Sequence, residues 1–316
     1  MRGKLALAAG AIAIAFLALY FARPGATSNA TTATEGATAT STEGSGYSLI
    51  PEGLPPAAAA AENVREMMAR AAVGPVFIAP YPWNAKEWTG VVQVAYDGRE
   101  VTASVNMSYT AKFNPYAPVL GYPSVRYGCD PLFYYCSGRA QPLELPEPAS
   151  KAGGVLVLSY SVSPGDCNVT DFSYDIWFNR GGFRLGAGDL ELMLWLYYNV
   201  DPSASLPAPY WRYLGERRLR IAVDGAWQTA EASAYVHLSQ GSWSVLVFVL
   251  RRPVRSGTVA VDLGQLVRAA QETLNGTPID LERLNLTSID VGMEFDGPPG
   301  VRLTCSYAIY GWSAEP

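Results

Sequence analysis

Three short stretches each place a carboxylate among residues that otherwise read as β-strand. In "DLELMLWLYY" (189–198) it is Glu191, in "DFSYDIWFN" (171–179) Asp175, and in "IDVGMEFDGPPG" (289–300) Glu294. A lone charge in an apolar core is costly, but strand side chains alternate between faces. Read with period two, Leu190, Leu192, Leu194 and Leu196 share one face, and Glu191, Met193, Trp195 and Tyr197 the other. Phe172, Tyr174, Ile176 and Phe178 likewise oppose Ser173, Asp175, Trp177 and Asn179. In the third stretch Val291, Met293 and Phe295 oppose Gly292, Glu294 and Asp296, and Gly292 leaves room for a ligand to approach. Two carboxylates across a cleft suit glycoside hydrolysis: one attacks the anomeric carbon, and the other, held protonated, protonates the leaving oxygen. A third can orient the attacking group. Alternation by itself also accommodates carboxylates on a solvated outer face.

Composition narrows the alternatives. The chain has 316 residues and a net charge of −5, so it lacks the basic footprint of a nucleic-acid binder. With one histidine, His237, a His-rich metal site and a Ser-His-Asp triad are poor fits, and acid–base work falls to carboxylates without metal or organic cofactor. The 8 Trp and 19 Tyr suit flat amphipathic ligands such as sugars, although β-propensity alone explains most aromatic rings in strands.

The elements that must position these groups follow from the pattern along the chain. Arg2 and Lys4 precede an apolar run from Leu5 to Phe21, so residues 1–25 read as a signal peptide or a membrane anchor. Residues 26–46 are Thr/Ser/Ala/Gly-rich and read as a linker or stalk. Both imply a secreted or cell-surface protein, and sequons at Asn29, Asn106, Asn168, Asn275 and Asn285 agree with export. Residues 47–74 form a spacer, in which "PPAAAAAENVREMMARAAVG" (55–74) is expected to be helical. From residue 75 to 316, many short strands separated by Gly/Pro/Asn turns indicate one all-β sandwich or barrel. One helix interrupts them at 261–276, with Asp262 as N-cap, Leu263, Leu266, Val267 and Ala270 on its apolar face, and Gly276 at its end. Cys129, Cys136, Cys167 and Cys305 are expected to form disulfides. Of the three pairings, the local one joins Cys129 to Cys136 and leaves Cys167 with Cys305.

Four blocks in order, "YPSVRYGCDPLFYYC" (122–136), "SYDIWFN" (173–179), "LELMLWLYY" (190–198) and "VGMEFDG" (291–297), resemble those of glycoside hydrolase family 12. The resemblance covers roughly residues 75 to 313. It implies a β-jelly roll of two antiparallel sheets with a long substrate groove on the concave face. It implies retaining endo-hydrolysis of β-1,4-glucans; the polysaccharide is the expected partner, and the protein is expected to be a monomer. It assigns Glu191 as nucleophile, Glu294 as acid/base and Asp175 as the auxiliary aspartate. It places Trp83, Tyr122, Met193 and Trp195 in the substrate groove, Trp83 as a sugar-stacking platform. The chain departs from the family where Asn-Asn-x-Trp is usual, reading Pro80-Tyr81-Pro82-Trp83, so a hydrogen bond to a sugar hydroxyl is lost or supplied elsewhere. Other readings are a xyloglucan-specific hydrolase of the same family, a non-catalytic carbohydrate-binding jelly roll on a stalk, and a structural surface protein. The last two do not require three carboxylates on one face.

Overall fold

The computed structural model describes residues 47–138, 143–181 and 183–316. The expected signal or anchor, the linker and the Asn29 sequon lie outside these residues. No helix among the described residues is long and apolar enough to cross a membrane.

Eighteen strands account for most of the described chain: β1 (Tyr47–Ser48), β2 (Ala57–Ala61), β3 (Ala71–Val73), β4 (Val76–Ala79), β5 (Ala85–Tyr96), β6 (Val101–Lys112), β7 (Ser124–Asp130), β8 (Tyr135–Cys136) and β9 (Glu147–Pro148) in the first half. The second half holds β10 (Val155–Ser163), β11 (Asn168–Asn179), β12 (Leu190–Tyr197), β13 (Arg212–Val223), β14 (Ala226–His237), β15 (Ser244–Leu250), β16 (Ser256–Asp262), β17 (Asn285–Asp296) and β18 (Leu303–Glu315). The fold is a β-jelly roll. One layer runs β2-β5-β6-β18-β10-β16-β13, and the other runs β14-β15-β12-β11-β17-β7-β4-β3. The hairpin β13–β14 joins them into one hydrogen-bonded network: Ile221–Val223 pair with β16, while Ala232–His237 pair with β15. Pairing is antiparallel as expected, with one exception, because β12 runs parallel to β15.

The apolar faces read from the sequence meet between the layers. Leu190, Leu192, Leu194 and Leu196 of β12, Phe172, Tyr174, Ile176 and Phe178 of β11, and Val291, Met293 and Phe295 of β17 pack in one core with Val92, Leu158, Tyr307 and Trp312 of the opposite layer. Each fully buried Leu or Phe contributes about 1.5–3 kcal/mol of transfer free energy, so this face dominates the folding drive. The helix spans Leu263–Thr273; Asp262 caps it by accepting from the Gln265 N–H at 2.8 Å, and Leu263, Leu266, Val267 and Ala270 are buried as expected.

The segment expected to be a helical spacer is part of the sheet instead. Ala57–Ala61 pair antiparallel with β5 along Val92–Tyr96, Ala71–Val73 pair with β4, and only a single 3-10 turn, Val64–Glu66, lies between. Leu49 and Ile50 are buried in the main core, and the Tyr96 hydroxyl donates to the Pro51 carbonyl at 2.5 Å. Alanine helix propensity is worth only tenths of a kcal/mol per residue, and an isolated helix this short is marginal. A ladder on the open edge of β5 satisfies every other donor and acceptor of the segment and wins. Among the described residues, the stretch ahead of residue 75 is therefore built into the sheet and core.

Both disulfides adopt the local-pairing solution, Cys129–Cys136 and Cys167–Cys305. The first ties β7 to its hairpin partner β8, and the second ties the start of β11 to β18 across 138 residues. On loop-closure entropy the long link contributes about 5 kcal/mol and the short one about half that. Urea unfolding of Cys167→Ala/Cys305→Ala is expected to show the larger loss, with Cys129→Ala/Cys136→Ala losing roughly half as much.

Candidate active site

The second layer turns its other face outward, and that face collects the carboxylates. Across β11–β12, Asp175 opposes Met193 and Trp177 opposes Glu191. Across β11–β17, Asp171 opposes Glu294 and Asp175 opposes Asp290. Because opposed residues share a face, Glu191, Asp171, Asp175, Asp290 and Glu294 all project from three adjacent strands on the side away from the leucine core. Register shifts in β11 at Val169/Asp171 and Phe172/Ser173 adjust which side chains meet there.

Two of these carboxyls reach the surface in part. Glu191 and Glu294 are half-buried, whereas Asp171 and Asp175 are 0% and 4% exposed. The Glu191 carboxylate accepts from Trp243 Nε1 at 2.9 Å, and Trp243 packs edge-on against Trp177. Ser173 Oγ lies 2.7 Å from Asp171 Oδ1 and 2.9 Å from Asp175 Oδ1. A hydroxyl has one proton to give, so the second of these contacts requires a proton on a carboxyl.

Behind the carboxyls lies a buried cation. Arg126 of β7 is 1% exposed, pairs with Asp130, and pairs with Asp290 at 2.9 Å; its Nε donates to Ser124 Oγ. Asp290 Oδ2 also accepts from Trp177 Nε1 at 3.2 Å. The guanidinium is framed by the rings of Tyr81, Tyr122 and Phe133.

The electrostatics follow from crowding like charges in a dry place. Burial pushes Glu191 up to about 7; the Trp243 hydrogen bond and Arg126 pull it back down, while Asp171 adds to the rise. Burial likewise raises Asp171 to about 7, against the Ser173 hydrogen bond. Asp175 and Glu294 are held well above the usual carboxylate range, by burial first and then by neighbouring carboxylates: Glu191 and Asp171 for Asp175, and Asp171, Asp175 and Glu191 for Glu294. At neutral pH the site therefore combines protonated carboxyls with carboxylates, which is what paired acid–base work requires.

Residues 75–315 match glycosyl hydrolase family 12. The chain belongs to this family and is a glycoside hydrolase. No curated protein sequence matches the chain. Three solved structures of the family's fold are similar to it. An endo-1,4-β-glucanase, CelB2, aligns at TM-score 0.53 and 21% identity, over 79% of this chain and 96% of that one. A family 12 xyloglucanase from Bacillus licheniformis aligns at 0.54 and 15%, over 82% and 99%. Endoglucanase 3 of Trichoderma harzianum aligns at 0.56 and 14%, over 82% and 97%. At such identities the likeness establishes the fold.

Within this family 12 domain, the three carboxylates read from the sequence are on one face, as alternation required. The expected groove residues are placed differently from one another. Trp83 is half-buried, packed with the cluster of Phe77, Tyr81, Tyr122 and Phe133. Tyr122 is 3% exposed beside Arg126, and burial raises its hydroxyl pKa. Met193 and Trp195 do sit on the carboxylate face but are 5% and 2% exposed, packed in one apolar cluster with Leu206, Val247 and Val249. Both side chains therefore brace this part of the face by packing. His237 Nδ1 contacts the Tyr210 carbonyl at 2.9 Å, outside the carboxylate cluster. Asp171, Ser173, Arg126, Asp130, Asp290 and Trp243 are the components that sequence reasoning passed over or left without a role. The alternation of β7 would have put Ser124 and Arg126 on the shared face, but only the fold brings Trp243 to Glu191.

A carboxyl whose folded pKa is raised costs stability above its unfolded value. Glu191 titrates near 4.3 when unfolded and near 7 when folded, so its contribution worsens as pH rises from about 4 to about 7. Glu191→Gln is expected to unfold at higher urea than the parent at pH 8, by about 1–3 kcal/mol after discounting partial exposure. At pH 4 the two curves should coincide.

Proposed function

We propose that this family 12 enzyme is a retaining endo-β-1,4-glucanase acting on internal bonds of cellulose or related β-glucans. The observation that carries the reading is the arrangement of Glu191 and Glu294 on the same face of β12 and β17, the two strands that flank β11, half-buried, with the buried Asp171 and Asp175 of β11 between them. Glu191 is the nucleophile. Trp243 stabilises its anionic form, and its electrons attack the anomeric carbon. Glu294 is the acid/base: a carboxyl crowded by carboxylates keeps its proton at neutral pH and can pass it to the leaving oxygen. Asp175, buried beside Glu191 and held protonated, is the auxiliary residue. Trp83 supplies a partly exposed ring at the groove rim for a glucosyl unit. The two disulfides fit an exported protein acting on an external polymer, with the N-terminal segment as signal or anchor.

Purified protein is expected to release reducing sugar from carboxymethylcellulose or lichenan, with xyloglucan and xylan in the panel to rank substrates. Glu294→Gln should lose about 10³-fold on glucans, and Glu191→Gln should be inactive while still binding glucan. Proton NMR of fresh hydrolysate should show the β-anomer first. Early appearance of the α-anomer would rule out double displacement, and glucan binding without hydrolysis by the parent protein would favour a carbohydrate-binding module.

A further inference from the structure

Asp171 is the one member of the carboxyl cluster without an assigned part. It is fully buried, and it stands opposite Glu294 across β11–β17. Its Oδ1 accepts from Ser173 Oγ at 2.7 Å, while Oδ2 has no hydrogen-bond partner among the described residues. Glu294 is the carboxyl that acts on it, and Asp171 in turn is the foremost charge acting on Glu294. Nature of the residue matters here: an aspartate can accept from Ser173 and still carry charge toward Glu294, which a neutral amide cannot.

We propose that Asp171 is a positioning residue for the proton donor: a carboxylate, fixed by Ser173, that faces Glu294 and keeps the proton there until the leaving oxygen takes it. The inference rests on Glu294 being the acid/base. Ser173 Oγ donates its proton to Asp171, and Asp175 keeps its own. In the first step Glu191 bonds to the anomeric carbon, the bond to the leaving oxygen breaks, and the Glu294 proton moves to that oxygen. Glu294 is then a carboxylate beside Asp171, an unfavourable like-charge pair. That repulsion makes Glu294 a stronger base for the incoming water. Water oxygen bonds to the anomeric carbon, the bond to Glu191 breaks, and the water proton returns to Glu294. Asp171 gains and loses nothing covalently; it sets the proton affinity of its neighbour in both steps. The other charged or titratable groups around the pair are Asp175 on β11, Glu191 on β12, Asp290 on β17, Arg126 and Asp130 on β7, and Tyr122 ahead of β7, with the Lys112–Asp296 ion pair beyond Glu294 on the β6 side.

The test is the pH profile of kcat/KM on a soluble β-glucan for the full-length parent and Asp171→Asn. Asparagine keeps the size and the acceptor for Ser173 but removes the charge. The alkaline limb is expected to move to lower pH by about one unit, with a roughly tenfold loss at pH 8, activity at pH 5 within about threefold, and KM unchanged. Nuclear magnetic resonance titration of ¹³C-glutamate-labelled protein should show Glu294 ionising at lower pH in the variant. An unmoved alkaline limb in folded Asp171→Asn, or a loss equal at every pH, overturns the proposal; Asp171→Ser serves if the asparagine variant does not fold. Glu294→Gln separates the two readings. If it hydrolyses glucan like the parent, the acid/base assignment fails; if it is inactive while Asp171→Asn keeps the parent profile, the Asp171 proposal alone fails.

Discussion

The structure depends on holding five acidic side chains of one sheet face near a single buried guanidinium. Arg126 is enclosed, and burial works against its charge, but Asp130 and Asp290 outweigh that cost. Removing one partner of a buried charge pair typically costs 3–5 kcal/mol, so these three residues hold each other in place. Arg126 also moderates Glu191 and Asp175 from below. Burial above all, with the remaining repulsion between neighbouring carboxylates, keeps protons on carboxyls that would otherwise lose them well below neutral pH.

Such a face cannot stabilise itself. Its support comes from the other side of the same strands, where the leucines of β12 and the aromatic and aliphatic residues of β11 and β17 pack against the opposite layer. Each strand thus carries both terms, burial on one set of alternate positions and electrostatic cost on the other. The long disulfide and the β13–β14 hairpin link the two layers further, so the carboxylate face is carried by a scaffold that the repulsion does not open.

Rigid neighbours refine the chemistry. Trp243 gives one hydrogen bond to Glu191, Ser173 divides its attention between two aspartates, and Trp177 reaches Asp290. Each is uncharged, and each favours one protonation state of the carboxyl it touches. Met193 and Trp195, packed with Leu206, Val247 and Val249, hold that part of the face firm.

How much of this was legible beforehand depended on the range of the interaction. Alternation is local, so the two faces of β11, β12 and β17 could be read directly, and with them Glu191, Asp175 and Glu294; the exception is Tyr197, expected on the Glu191 face, which a register shift at Phe172/Ser173 sets opposite Phe172 and in the leucine core. The helix at Leu263–Thr273 was legible for the same reason, with its cap, apolar stripe and terminating glycine all within a few turns. Four ordered blocks added the family. The alanine-rich segment at Ala57–Ala61 was misread because its conformation is set by the free edge of β5, not by its own propensity. Likewise the burial of Trp195 depends on Leu206 and the β15 valines packed against it, and the partners of Glu191 and Asp171 on strand registers and bulges that no single segment encodes. The sequence by itself determined which residues share a face and which of them bear charge. Only the tertiary structure decided which charges meet, because desolvation and Coulomb forces depend on distances between strands far apart in the chain.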